Sequence, residues 1–341
     1  MQHRLSYILA LSAIALPGAD TDGWRPHDGP LLKYRVNLRF GEELVAPPAP
    51  LAASAKAWAD LRFSAATPDT MPKGWKLGRV SAVAVSASGD VYVFHRGPSA
   101  DPVMIFDAEG RYLRSWGRGV FEVPHGLRID PAGNVWTTDA GTHLVQKFTP
   151  NGQPLLTLGK KGHAGNTQAT FNKPTDIAFA RNGDVYLSDG YGNRRVVKFS
   201  AAGKYLFEWG KPGVGPGEFD VPHSVALDSK GNVYVSDREN NRIQIFSGEG
   251  KFLRQWTHLG STQNLFITSK DELWMITHRE NIEAVALNTL GGRIMRVDVN
   301  TGKILGVIES PGHWIHVTPD AVVFIGSLTG NVLRWYPSWP K

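Results

Sequence analysis

The chain has 341 residues, 42% hydrophobic and 20% charged, with a formal net charge of +6 and no cysteine. This apolar fraction excludes wholesale disorder, and the absence of cysteine excludes disulfide frameworks, thiolate zinc sites, iron–sulfur clusters and cysteine nucleophiles. Lys and Arg are spread along the chain without a dense basic run, which sets nucleic acid aside as a partner.

Residues 1–4 carry one Arg and one His, and a twelve-residue apolar run, LSYILALSAIAL, follows at 5–16. The run is too short to span a bilayer. With the small residues Ala13 and Ala15 near its end, it reads as a secretory signal over 1–19, so an exported protein with no integral membrane span is expected. A buried N-terminal helix is the alternative. Residues 20–75 hold no sustained pattern, and APPAPLAASAKA at 46–57 reads as linker.

From residue 80 the chain repeats itself. VPHGLRIDPAGNVWTTD (123–139), KPTDIAFARNGDVYLSD (173–189) and VPHSVALDSKGNVYVSD (221–237) share one frame: an apolar strand, a Gly-Asn or Gly-Asp turn, and a strand ending in Asp. A third strand (HLVQKF, RRVVKF, NRIQIF) and a fourth (PLLTLG, KYLFEWG, KFLRQWT) complete each unit. Four strands every 40–50 residues predict an all-β, six-bladed β-propeller over 76–341, built of four-stranded antiparallel blades. The equivalent first-strand positions are Ser81, His125, Thr175, His223, Gln263 and His313. The last unit shows three strands, so its fourth is expected from 34–63, which would close the ring and remove an open edge.

His125, His223 and His313 occupy that position in alternate blades. Alternate blades of a six-fold ring are about 120° apart, and the innermost strands line the channel. Three imidazoles would therefore converge on the axis, the donor set of a catalytic zinc site with an open fourth position. Ser81, Thr175 and Gln263 offer weaker, neutral donors between them. His316 competes for the sixth-blade role. His313 is preferred because Val317 then falls four residues on, as Ile129 and Leu227 do in their units.

Arg96 (FHRG) and Tyr191 (SDGYGN) each follow a second strand and belong to loops on one face of the ring. A surface ion pair and a packed loop aromatic are the plain alternatives. Asp139, Asp189 and Asp237 recur at one repeat position, which argues for hydrogen bonding to their own blades' turns.

These segments carry a resemblance. FHRG (94–97), PHGL (124–127), PTDIAF with SDGYGN and GKYLFEWG (174–210), and PGEFDVPHSVAL with SDRENNRIQIF (216–246) resemble the NHL-repeat propellers, most closely the peptidyl-α-hydroxyglycine α-amidating lyases, through about 80–335. The resemblance implies zinc on His125, His223 and His313, a catalytic Tyr191 with Arg96 beside the substrate, and a structural calcium on the backbone carbonyls of Val83 and Leu127. It implies a lyase that cleaves the C–N bond of an α-hydroxyglycine-type carbinolamide to an amide and glyoxylate. The substrate would be a peptide or small molecule with that terminus, and the protein a monomer.

The chain departs from the family at four places. Pro311 replaces a pocket-lining Met, Trp314 an Asp that binds calcium, and Gly192 a disulfide Cys, while 262–310 diverges. Two other readings stay open on the same architecture: a non-catalytic NHL-type binding propeller, and a lactonase-type metal hydrolase, which uses carboxylate and Asn ligands.

Overall fold

The computed structural model describes residues 59–61, 70–277, 292–310 and 312–336. The expected signal segment, Pro311 and residues 278–291 of blade five lie outside the described residues. Six four-stranded antiparallel sheets form the blades of a propeller. Their innermost strands are Val80–Val85, Pro124–Ile129, Asp176–Phe179, Pro222–Leu227, Thr262–Ile267 and Trp314–Val317. Each packs against the innermost strand of the next blade, and the sixth against the first, which closes the ring. The sixth sheet takes its outermost strand from the N-terminal side, where Ala59–Leu61 pairs with Asn331–Tyr336. Among the described residues the only helical turn is Arg238–Asn240, and no helix is long and apolar enough to cross a membrane.

Local chemistry explains the blades. In blade two, the Asp130 carboxylate accepts the N–H groups of Ala132 and Asn134 at 3.0 and 2.9 Å. Gly133 then takes φ +84°, a left-handed conformation that costs glycine little. This turn joins the innermost strand to Val135–Asp139, whose five residues are all buried. Second strands flanked on both faces lose the usual alternation and read as continuous apolar runs, as VYVFH and VYVSD do. The core lies between blades. Trp314 of blade six, Val80 and Phe94 of blade one and Leu127 of blade two belong to one cluster and are fully buried. Each such side chain contributes about 1.5–3 kcal/mol of burial.

The second-strand aspartates are structural. Asp139 accepts N–H groups from Glu122, Val123, Gly141 and Thr142. Asp189 and Asp237 accept from Asn172 and Asp220 at 2.9 and 2.7 Å and pair with Arg195 and Arg242. Burial nonetheless pushes the Asp237 carboxyl up to about 6.

Candidate functional site

The channel end of four of the six blades is shaped by one irregularity. Pairing of the innermost strand to the second skips a residue between Val80 and Ala82, Pro124 and Gly126, Pro222 and Ser224, and Thr262 and Asn264. The skipped residues are Ser81, His125, His223 and Gln263. A bulge of this kind re-aims a side chain without ending the strand. Thr175 and His313 stand directly before their strands, each held by its own N–H on the second-strand carbonyls of Ser188 and Gly326 at 2.8 Å.

The three imidazoles meet. Ring centroids of His125, His223 and His313 are 4.9, 5.0 and 5.2 Å apart, close to an equilateral triangle. One ligand nitrogen from each lies within 4.8 Å of the others. Each Nδ1–H donates to the carbonyl at the equivalent position of the next blade: His125 to Thr175 at 2.8 Å, His223 to Gln263 at 2.5 Å, and His313 to Ser81 at 2.7 Å. A carbonyl cannot donate, so Nδ1 carries a proton, and in the neutral ring Nε2 is the nitrogen with the lone pair. Burial holds His125 and His223 well below the usual imidazole value. For His125 the charges of His313 and Arg96 add to this, and for His223 those of Arg238 and His125. Three carbonyl-oriented imidazoles with no carboxylate among them fit zinc.

Tyr191 reaches this triad from the loop after the second strand of blade three. Its hydroxyl is 2.9 Å from Nε2 of both His125 and His223. Gly190 permits the approach, since any Cβ there would collide with the Pro222 carbonyl oxygen beside His223. At Gly192 a Cβ would collide with the Asn172 amide, so Asn172 fills the space that a larger residue would need. Tyr191 N–H and Gly192 N–H donate to the Lys173 and Asn172 carbonyls at 3.4 and 3.0 Å, fixing the loop.

Arg96 lies just past Val91–His95, and its Nε donates to the Pro124 carbonyl at 2.8 Å, one residue from His125. A second cation, absent from the sequence reading, stands at the equivalent place in blade four. Arg238 is 7% exposed, and its guanidinium lies 5.4 Å from the Tyr191 ring centroid. Arg238 follows Asp237 as Arg96 follows His95, so the repeat frame itself held this signal. His316 is not part of the cluster. Its ring packs on Phe266 at 4.7 Å, and burial, with Arg128 nearby, pushes it down to about 3. Val83 and Leu127 are fully buried, two residues past Ser81 and His125 on their strands.

Comparison with known proteins places this geometry in a family. The NHL repeat matches residues 121–148, 171–199 and 219–246. The chain is 33% identical over 296 residues to the peptidyl-glycine alpha-amidating monooxygenase of Mus musculus, covering 75% of this chain but 30% of the mouse protein. It is 31% identical over 292 residues to a probable peptidyl-alpha-hydroxyglycine alpha-amidating lyase of Caenorhabditis elegans, covering 74% of this chain and 81% of that protein. A gluconolactonase structure from Xanthomonas campestris superposes with a TM-score of 0.59 at 16% identity, covering 84% of this chain and 92% of that one, a likeness of fold alone. With the worm lyase matched over most of its length, the chain belongs to the peptidyl-α-hydroxyglycine α-amidating lyase family of NHL-repeat propellers.

Proposed function

We propose that this protein is a zinc-dependent carbon–nitrogen lyase that cleaves an α-hydroxyglycine-type carbinolamide to an amide and glyoxylate. One observation carries the reading: a tyrosine hydroxyl 2.9 Å from the Nε2 atoms of two of three convergent imidazoles. His125, His223 and His313 would hold the zinc, which supplies Lewis acidity to the substrate hydroxyl.

The chain's own groups handle the proton. Tyr191 is placed to take the carbinol proton through its phenolic oxygen. The Arg238 guanidinium lies 5.4 Å from the Tyr191 ring centroid. As the hydroxyl oxygen forms the aldehyde C=O, the C–N electrons pass to nitrogen, which takes up a proton and leaves as the amide. Arg96, beside His125, would orient a substrate carboxylate through its guanidinium fork, while the Arg238 guanidinium is engaged by the Glu239 carboxylate at 3.0 Å and donates to the Gln263 side chain at 3.3 Å.

The lactonase reading is less well supported. Asp176 and Asn264, the carboxylate and carboxamide of the channel, are engaged by Arg128 and Ser224 rather than free for a metal. Export after removal of residues 1–19 belongs to the same proposal. Incubation with a peptide ending in α-hydroxyglycine tests it. Mass spectrometry should show the shortened peptide amide, with an equal amount of glyoxylate in solution. An intact substrate after prolonged incubation with zinc-loaded protein would refute the assignment.

A further inference from the structure

One step along the innermost strands from the histidine level, the channel holds a second polar layer that the lyase chemistry does not use. Asp176, Ser224 and Asn264 follow Thr175, His223 and Gln263 and are fully buried. Ser224 Oγ and Asn264 Nδ2 donate to Asp176 Oδ2 at 2.6 and 3.1 Å. Arg128, from blade two, donates through Nε and Nη2 to the two Asp176 oxygens at 3.0 and 2.7 Å. Nη2 also reaches the Leu265 carbonyl of blade five at 2.9 Å. The guanidinium carbon lies 4.6 Å from the ring centroid of Trp314 in blade six, which is itself fully buried. That indole spans toward blade two, where a Cβ on Gly126 would lie 2.9 Å from Trp314 Cη2.

The resemblance to the family implied a calcium ion here, on the Val83 and Leu127 carbonyls and an acidic side chain at position 314. Calcium takes six to eight oxygen ligands. Leu265 is the blade-five counterpart of Val83 and Leu127, and its carbonyl is taken by a guanidinium. Position 314 offers an indole instead of a carboxylate, and the indole fills the space against Gly126. A fixed positive charge already sits at this level. The residues present do not fit calcium.

We propose that the Arg128 guanidinium is this protein's channel cation, built into the chain in place of a metal. It neutralises Asp176 and joins blade two to blades three, five and six, so the ring and its histidine level hold together without calcium. The inference rests on family membership, not on the reaction assigned above, and it is read from stability and metal content rather than activity.

The test uses the full chain in calcium-stripped buffer containing zinc, with and without about 1 mM calcium, a level that fills weak protein sites. Thermal unfolding is followed by tryptophan fluorescence. The expected result is a Tm that calcium moves by less than about 2 °C and no stoichiometric calcium after gel filtration. A larger rise, or one calcium retained per chain, overturns the proposal. Arg128→Met leaves Asp176 buried without its partner and should lower Tm by about 5 °C or more; an unchanged Tm also overturns it. The pair Arg128→Ser with Trp314→Asp removes the guanidinium and restores an acidic donor, and should make Tm rise with calcium. Calcium indifference of a folded double variant would count against the substitution. If neither variant folds, the calcium response of the wild-type chain decides.

Discussion

Replacing Tyr191 with Phe removes one oxygen from the centre of the site. The lost contacts include those to Nε2 of His125 and His223, each 2.9 Å. The edge-to-face contacts of the ring with those imidazoles, at centroid distances of 5.1 and 5.4 Å, are retained. The structural cost is therefore that of one hydroxyl, about 0.5–1.5 kcal/mol, and the three Nδ1–carbonyl bonds that aim the imidazoles are untouched. The catalytic cost is larger. Loss of a positioned general base lowers the rate by about 10² to 10⁴, or about 2.7–5.4 kcal/mol in the barrier. The assay is glyoxylate release from an α-hydroxyglycine-capped peptide in single turnover, with zinc measured on the same sample. A Tyr191→Phe protein that holds zinc and turns over at the wild-type rate would refute the role of the phenol and assign the proton to another base.

Two further predictions follow from the buried histidines. Alanine at His125, His223 or His313 should abolish stoichiometric zinc, whereas His316→Ala should keep it, because His316 packs on Phe266 outside the cluster; metal analysis of the four purified variants checks this. Burial holds His95 at about 4 and His316 at about 3, below the ordinary 6.5. The unfolded chain therefore takes up protons below about pH 6.5 that the folded chain refuses. Stability present above that pH is lost on acidification toward the folded values, by about 1 kcal/mol per residue between about pH 6.5 and 5.5. Urea unfolding at the two pH values measures the loss, and His95→Gln should shrink it.

The fold was legible because a propeller blade is a local object. Strand, Gly-containing turn and strand recur within forty to fifty residues, and the Asp130 turn shows why: side chain, backbone and left-handed glycine all act within five positions. The outer strand of the sixth blade was expected within 34–63, and Ala59–Leu61 pairs there. The alternation of His125, His223 and His313 was likewise a property of the repeat frame. The rest depended on which blades face one another. The repeat frame marks the position of Arg238, alongside that of Arg96, but not what it meets, and its place over the Tyr191 ring comes only from the fold. The Arg128–Asp176–Asn264 network joins residues 48 and 136 positions apart from Arg128, beyond the reach of any periodicity. Histidine orientation was equally hidden, because each Nδ1 acceptor is a backbone carbonyl of the next blade.

Titrating the metal-free protein with zinc while following glyoxylate release tests most directly the link between one metal centre and one reaction. The rate should rise in proportion to bound zinc and level off at one equivalent per chain, with His223→Ala showing neither binding nor rate. A rate independent of zinc, or one full equivalent bound without any glyoxylate released, would contradict it.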